Sequence, residues 1–453
     1  MKLNQLTKWQ GTTNRKDFLQ WGLILFTVKY NLDRMTAWAF DKVWFISDYF
    51  IQADKMSMGE LTEDDRMFYL VLLAQSLPFI WFGTVLCVKR LRSTNLQPWI
   101  VLLFFIPFLN FLLFILLAAL PEKQEIGESN KSFFSRLIPT SKYGSAFFAI
   151  GTVLIVSLLF TTVFINQLNE YGWSLFVGIP FFLGFGSVLI YGHHRKLSYR
   201  DAMKVMGVSI LFFNLLLFLL AYEGIICITM AFPIVLVIAW IGAIIGYGIH
   251  ECKQEVSLNV LSAPLVFVIL MGAIEANDNP TPPLIALETE IEVAASRQEV
   301  WNELVAFSHI AEPTEYLFKT GIAYPTHAEI EGTGVGAIRH CNFTTGSFVE
   351  PITTWDEPNL LAFNVLDQPP PMVEWSLYEN LEIEHLHGYF ASEKGQFLLE
   401  ELKNGNTRLV GTTWYRHNIW PTMYWSIWSN YILHQIHYRV LNHIKAEAES
   451  KES

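Results

Sequence analysis

The stretch Leu287-Glu-Thr-Glu-Ile-Glu-Val293, followed by Ser296-Arg-Gln-Glu299, marks where a folded domain begins in this chain. The first stretch alternates apolar and acidic residues, which predicts a strand with one buried and one exposed face. The second stretch has the spacing of a capping box and predicts a short helix. That helix is expected to turn its apolar residues inward, namely Val300, Trp301, Leu304 and Val305.

Further strands are predicted downstream, separated by turn signals such as Asp356-Glu-Pro358 and Asn404-Gly405. An Asn-Gly pair between two apolar runs strongly favours a hairpin turn. The expected strands cover residues 328–331, 336–343, 348–355, 360–365, 395–402 and 407–417. A long amphipathic helix over 421–446 closes the chain, so this part is predicted to be an α+β domain.

A polar, proline-rich stretch, Glu275-Ala-Asn-Asp-Asn-Pro-Thr-Pro-Pro283, precedes this domain and cannot continue a helix. We predict a stiff linker over 276–285 and a separate soluble domain over 286–453. That domain carries 10 Lys+Arg against 23 Asp+Glu. Such an acidic surface repels phosphate backbones, so no nucleic-acid partner is expected.

Apolar residues make up 52% of the chain and are concentrated before residue 275. A helix needs about 20 apolar residues to cross a bilayer. Clear candidates cover residues 67–88, 98–120, 145–165, 173–191, 206–222, 225–249 and 258–274, and a weaker one covers 18–40. Lys29, Asp33 and Arg34 interrupt the weaker one and lie either at the membrane interface or towards a polar bundle interior. This half is predicted to be a polytopic α-helical membrane region.

The side of the membrane on which the C-terminal domain lies depends on residues 98–120. Basic residues favour the cytoplasm, which places the N-terminus and the segment after 67–88 inside. If 98–120 crosses once, the C-terminal domain is cytoplasmic. If it dips in and returns, broken near Pro107 and Asn110, that domain lies outside, and the sequence leaves both alternatives open.

Arg15-Lys16-Asp17-Phe18 opens the first span, and Lys89-Arg90-Leu91-Arg92-Ser93-Thr94 precedes Trp99 and an apolar run that ends at Leu120-Pro121. These motifs resemble a bacterial inner-membrane family, domain of unknown function 805, over residues 1–120. Further transmembrane helices are expected over 121–275. Arg92 and Ser93 stand where that family usually has His and Asp. The resemblance implies a multi-pass protein of the bacterial inner membrane and no established chemistry.

The basic cluster Lys89, Arg90 and Arg92 is predicted to anchor the topology by binding anionic lipid head groups. A ligand-binding role is the alternative.

Gly332-Thr-Gly-Val-Gly336, Phe348-Val-Glu350, Trp355-Asp-Glu-Pro358 and Leu361-Ala-Phe363 follow one another in the C-terminal domain. In this order, and with the closing helix, they resemble the START-like superfamily that includes the polyketide cyclase/dehydrase-like (SRPBCC) proteins. The resemblance implies a helix-grip fold, in which a curved sheet wraps the terminal helix and leaves a cavity. The glycine-rich stretch lacks the Gly-x-Gly-x-x-Gly spacing of dinucleotide sites, so we predict a tight hairpin there.

Candidate residues for the cavity lie on the predicted central strands and the closing helix. They are His340, Glu350, Trp414, Tyr415, His417, Tyr424, Trp428 and Tyr431. Whichever of His340, Glu350, Tyr415 and His417 face the concave side are placed to orient a ligand or to act as an acid or base, with a structural or solvent-facing role as the alternative. The helix aromatics either pack in the core, line the cavity or touch a membrane interface. The histidines of this domain, His385, His387, His417, His434 and His437 among them, lack the spacing of zinc hydrolases, so no metal and no cofactor is predicted.

Three kinds of function remain compatible with the sequence. The first is a membrane-anchored module that binds a lipid or another hydrophobic small molecule, with membrane lipids and that molecule as partners. The second is a cyclase-, dehydratase- or hydrolase-like enzyme acting on an apolar substrate. The third, a transporter with a regulatory tail, ranks last because the spans carry few charges. Fold-level analogy supports the first, and the sequence leaves catalysis and oligomeric state open.

Overall fold

A computed structural model describes residues 6, 8–46, 49, 63–94, 96–105, 109–120, 137–168, 171–252, 258–277, 282–378 and 390–450. Contacts within the chain divide it into two compact units. The first comprises Met1–Leu216 and Phe232–Pro280, and the second comprises Leu217–Ala231 and Thr281–Ser453. The segment Leu217–Ala231 therefore groups with the C-terminal domain, although it comprises the end of the predicted span 206–222 and the start of the predicted span 225–249.

Helices dominate the part of the chain before residue 280. They are α1 (Arg15–Ala39), α2 (Glu63–Ser93), α3 (Leu109–Ala119), α4 (Lys142–Leu168), α5 (Ile179–Gly192), α6 (Tyr199–Leu219), α7 (Ile225–Cys252) and α8 (Ser262–Asn277). A 3₁₀ helix, Pro98–Phe105, precedes α3, and a π-helical turn, Ser174–Gly178, precedes α5. The helix α8 thus continues two residues into the stretch predicted to begin the linker.

Five described helices are long and apolar enough to cross a membrane, over Asp65–Ser93, Lys142–Ile165, Ser174–Gly192, Tyr199–Leu219 and Ile225–Glu251. Two further apolar helices, Asn110–Ala119 and Ser262–Ala276, are shorter. The predicted span 98–120 is divided between the 3₁₀ helix and α3, and residues 106–108 between them lie outside the described residues. The chain is a membrane protein, while its number of crossings stays a prediction.

The charged residues of α1 point in different directions. Asp33 is fully buried, and its carboxylate accepts hydrogen bonds from Lys29, from the hydroxyl of Tyr49 and, at 2.5 Å, from Nε2 of Gln75. Arg34 is exposed and lies over the ring of Tyr30. Of the two predicted positions, the membrane interface and the bundle interior, Asp33 therefore lies in the bundle interior.

Helices α5 and α7 touch backbone to backbone. A Cβ atom on Gly184 of α5 would lie 1.9 Å from the carbonyl oxygen of Ala239, and one on Gly242 of α7 would lie 2.4 Å from the carbonyl oxygen of Phe181. Only glycine allows so close an approach at either position. Small residues at helix crossings are typical of membrane bundles, where close packing holds the helices together.

The C-terminal domain is built on one antiparallel sheet. Its strands are β1 (Ile285–Val293), β2 (Pro325–Glu331), β3 (Ile338–Phe343), β4 (Gly346–Asp356), β5 (Leu360–Asn364), β6 (Phe390–Glu401) and β7 (Thr407–His417), in the spatial order β1-β7-β6-β5-β4-β3-β2. The short helix α9 (Arg297–Leu304) follows β1, and the long helix α10 (Thr422–Ser450) closes the chain.

Helix α10 contacts β1 at one edge of the sheet and β2 at the other. One helix reaches both edges of a seven-stranded sheet only if the sheet curls around it. The concave face packs on α10 through a core that includes Trp301, Leu361, Leu409, Leu441 and Ile444. The predicted helix-grip fold is confirmed by this arrangement.

The local signals that predicted these elements are present in the structure. Ser296 and Glu299 form the expected capping box, and Val300, Trp301 and Leu304 are buried. Gly332, Gly334 and Gly336 have positive φ angles in the tight turn between β2 and β3, and Gly405 has φ +87° in the β6–β7 hairpin. Strand β6 begins five residues earlier than predicted, because a bulge between Ser392 and Lys394 lets residues 390–392 pair with β7.

Candidate ligand-binding site

A cavity of about 200 Å³ lies between the concave face of the sheet and α10. Its lining is mainly apolar. Strand residues contribute the rings of Phe343, Phe348, Phe363 and Phe397, while α10 contributes Ile432 and Leu433. The curled sheet supplies one wall and the helix the other, so the fold itself creates the space.

Two further segments of the second unit complete the wall. Pro369, Pro370 and Pro371 line the cavity, and Met372 packs against Cys227. Residues 369–372 belong to the segment between β5 and β6, of which residues 379–389 lie outside the described part. Cys227 and Met230, in the first two turns of α7, also line the cavity.

The segment between β5 and β6 also holds the start of α7. The carboxylate of Glu374 accepts hydrogen bonds from the backbone N–H of Ile226 at 2.9 Å and of Cys227 at 2.8 Å. A carboxylate at a helix N-terminus satisfies free N–H groups and complements the helix dipole. Burial, together with the negative charge of Glu374, raises the pKa of Glu223 well above its usual range. The hydroxyl of Tyr424 adds a hydrogen bond to the carbonyl of Met230.

An ion pair lies in the cavity wall. Arg339 on β3 is 1% exposed and donates through Nη1 to Glu350 on β4, which is 6% exposed. The two residues are cross-strand neighbours, because the β3–β4 register pairs Arg339 with Glu350. Burial raises the pKa of Glu350, and the positive charge of Arg339 opposes that rise. A buried pair of this kind is strongly destabilised when one partner is removed.

Two histidines line the cavity and are neutral at pH 7. Burial lowers the pKa of His417 to about 4 and that of His437 to about 4. Nε2 of His417 lies 3.1 Å from the hydroxyl of Ser426, and Nε2 of His437 lies 2.8 Å from that of Thr413. A neutral imidazole can accept a proton, and a pKa of about 4 makes each of these rings a weak base at pH 7.

The candidate residues from the sequence are distributed over the domain. Glu350 and His417 line the cavity. The Tyr415 side chain is buried beside it, donates to Oδ1 of Asn430 at 2.6 Å, and has its pKa raised to about 12 by burial. His340 alternates with the lining residues Arg339 and Cys341 and so faces the other side of β3. Trp414 does not line the cavity, and the Nζ atom of Lys394 lies over its ring at 4.6 Å.

The three helix candidates are placed differently. Tyr424 hydrogen-bonds to the start of α7, Trp428 is half-buried and Tyr431 is 50% exposed. None of these three residues lines the cavity; Trp425, the residue after Tyr424, does.

Sequence reasoning passed over Arg339 and considered His437 only as a metal ligand. The available signal was strand alternation: Arg339 and Cys341 share a face with the apolar interior, and Arg339 lies opposite an acidic residue on the next predicted strand. His434 and His437 do share a helix face, and both contact the hydroxyl of Thr289, at 2.8 and 2.9 Å. Within the described residues, no three His, Cys, Asp or Glu side chains gather to hold a metal ion; His385 and His387 lie outside those residues.

The basic cluster of the first unit is divided between interior and surface. Arg90 is fully buried, and it donates to the carbonyl oxygens of Leu117, at 3.0 Å, and of Leu120, at the end of α3. Its role is that of a helix C-cap, and a fully buried side chain has no surface for a lipid head group. Arg92 is exposed and donates to the carbonyl of Trp9, while Lys89 is 3% exposed. Head-group binding stays a prediction for Arg92.

Comparison with known proteins gives a family for one part of the chain. Residues 6–127 match the model of the family described as protein of unknown function (DUF805), which confirms the resemblance predicted for the first 120 residues. No curated protein matches the chain.

Solved structures similar to this chain include a norcoclaurine synthase point mutant from Thalictrum flavum in complex with a transition-state analogue, at 15% identity, 39% of this chain, 100% of that chain and TM-score 0.26. A protein from Nitrosospira multiformis matches at 16% identity, 37% of this chain, 99% of that chain and TM-score 0.25. The major latex-like protein 151 of Panax ginseng matches at 13% identity, 36% of this chain, 97% of that chain and TM-score 0.23. On its own strand order and terminal helix, the C-terminal part has a helix-grip fold, and the N-terminal residues 6–127 match the DUF805 family model.

Proposed function

We propose that the C-terminal domain binds a small hydrophobic molecule in the cavity between its sheet and α10. The mainly apolar cavity is the observation that carries this proposal. An apolar cavity of about 150 Å³ is large enough to bind benzene. Pockets that enclose drug-sized ligands measure about 300–1,000 Å³. The cavity volume of about 200 Å³ therefore suits a single-ring molecule or a short acyl segment, and it excludes a whole phospholipid.

We infer that the ligand enters the cavity from the membrane. Cys227 and Met230 line the cavity and belong to a helix that is long and apolar enough to cross a bilayer. Apolar molecules concentrate in the hydrocarbon core of the bilayer, because their transfer out of water is favourable in proportion to their apolar surface area. A binding domain attached to that phase meets its ligand at the highest available concentration. We infer a bacterial inner membrane from the family resemblance of the first 120 residues.

A bulky residue in the cavity is expected to abolish binding. Ser429 lines the cavity on α10, and Ser429→Trp fills space that the ligand needs. Met423 lies on the same helix and is 80% exposed, so Met423→Trp adds the same indole outside the cavity and serves as the control. Native mass spectrometry of the full chain, purified from membranes, counts the small molecules that remain bound. Wild type and Met423→Trp should carry a ligand and Ser429→Trp should not; equal occupancy in both variants would contradict the proposal.

An enzyme of the acid–base type is the second candidate, and His417 is the observation that favours it. Its neutral imidazole lies 3.1 Å from the hydroxyl of Ser426, in an apolar cavity, where it can accept a proton from a bound molecule. If the domain is an enzyme, the molecule recovered from the protein should be converted over time by wild type and not by His417→Gln. Unchanged binding without conversion in both proteins would favour the binding module.

A further inference from the structure

The guanidinium of Arg339 is held rigidly in the cavity wall. It lies 5.5 Å from the ring centres of Phe307 and Phe363 and 5.6 Å from that of Phe397. Nε donates to the carbonyl of Val305 at 3.2 Å, and Nη1 donates to Glu350. Rings on several sides and two directed hydrogen bonds leave the group little freedom to turn.

The remaining nitrogen, Nη2, is buried and donates no hydrogen bond to any atom of the described residues. Its neighbour Cys341 is a poor substitute, because burial raises the pKa of that thiol to about 12 and a protonated thiol accepts hydrogen bonds only weakly. A buried N–H donor of a charged group costs folding free energy when it has no acceptor. Since Arg339 lines the cavity, a ligand oxygen is able to supply the missing acceptor.

The charges of Arg339 and Glu350 limit which ligand oxygen can accept this hydrogen bond. Arg339 and Glu350 together carry no net charge, and both line the cavity. An anionic ligand beside Glu350 would meet a like charge in a medium of low dielectric constant, where repulsion is strong. A neutral carbonyl oxygen accepts the hydrogen bond without adding charge.

We propose that the cavity selects a small, neutral, apolar molecule with a carbonyl oxygen that accepts a hydrogen bond from Nη2 of Arg339. The ligand class is a ketone, aldehyde or ester whose hydrocarbon part packs against the phenylalanine rings of the lining. This inference rests on the proposed function, since it names the ligand class of the same cavity.

Three molecules of nearly the same shape test it: acetophenone, α-methylstyrene, which replaces the carbonyl oxygen by a methylene group, and benzoate, which carries a charge. Their binding is measured by equilibrium dialysis with the full chain in lipid nanodiscs, with empty nanodiscs as the blank. Acetophenone should bind roughly tenfold more tightly than α-methylstyrene, as expected for one hydrogen bond from a charged donor. Benzoate should bind more weakly than acetophenone.

The outcomes separate this inference from the proposed function. Equal or tighter binding of α-methylstyrene overturns the carbonyl preference and leaves hydrophobic binding intact. Tightest binding of benzoate overturns the neutral-ligand class. Failure of all three compounds to bind above the blank counts against both proposals.

Glu350→Gln provides a second test, because glutamine keeps an acceptor for Arg339 and removes the negative charge. Benzoate should then bind at least tenfold more tightly than to wild type, while the preference for acetophenone over α-methylstyrene persists. Unchanged benzoate affinity in a folded Glu350→Gln protein would contradict the role assigned to the pair.

Discussion

Arg339→Leu is expected to destabilise the C-terminal domain by about 3–5 kcal/mol, the usual cost of leaving one partner of a buried ion pair alone. Glu350 is only 6% exposed and would lose its positively charged neighbour. The double variant Arg339→Leu/Glu350→Leu removes both charges and should recover most of the lost stability, because apolar replacements of buried pairs are often neutral. Pulse proteolysis of the full chain across a urea series measures the free energy of unfolding of this domain.

The loss of stability in Arg339→Leu should also depend on pH. Burial raises the pKa of Glu350 and Arg339 opposes the rise, so the folded-state pKa of this carboxyl lies still higher in Arg339→Leu. The folded protein then binds more protons than the unfolded chain, and stability falls as the pH rises through that interval. We expect a smaller loss at about pH 5 than at about pH 7.5. A loss that is the same at both pH values, or a double variant as unstable as the single one, would argue against a buried charge.

Arg90→Ala is expected to loosen the first unit. The substitution leaves the carbonyl oxygens of Leu117 and Leu120 without their buried donor, and each unsatisfied group costs about 1–3 kcal/mol. Cys87 lies one turn earlier on α2 and is 3% exposed, so its reaction with a maleimide reports local opening. In a protein whose other three cysteines are replaced by alanine, labelling of Cys87 should accelerate roughly a hundredfold, corresponding to about 3 kcal/mol.

Arg92→Ala is the matched control for Arg90. Arg92 lies two residues further along α2, is exposed and donates a hydrogen bond to the carbonyl of Trp9. Its removal should change the labelling rate of Cys87 by less than about threefold, since surface substitutions usually alter stability by no more than about 0.5 kcal/mol. Similar rates for the two alanine variants would show that Arg90 does not cap α3.

The strands and caps of the C-terminal domain could be predicted because their signals are local. The alternation over Leu287–Val293, the Ser296–Glu299 capping box and the Asn404-Gly405 turn each depend on residues a few positions apart. Period-two alternation also shows which residues of a strand share a face. The helix-grip fold itself was predicted through the resemblance of this order of elements to the START-like superfamily.

The composition of the cavity could be predicted only in part. On α10, a shift of one residue turns a side chain by about 100°, so Trp425 lines the cavity where Tyr424 was expected. Strand register decides that Arg339 meets Glu350, and register depends on contacts between segments. The inclusion of Leu217–Ala231 in the second unit has no signal in local sequence, because it rests on pairs such as Glu374 with Ile226.

The bond from the N–H of Ile226 to Glu374 also has a consequence for how the protein is made. The two residues are 148 positions apart. A ribosome adds about 5–20 residues per second, so roughly 7–30 s pass between synthesis of the start of α7 and synthesis of its cap. During that interval the first N–H groups of the nascent helix must form hydrogen bonds with water or with the membrane-insertion machinery. Assembly of the second unit is therefore a late event of biogenesis, completed only after α7 and α8 have left the ribosome.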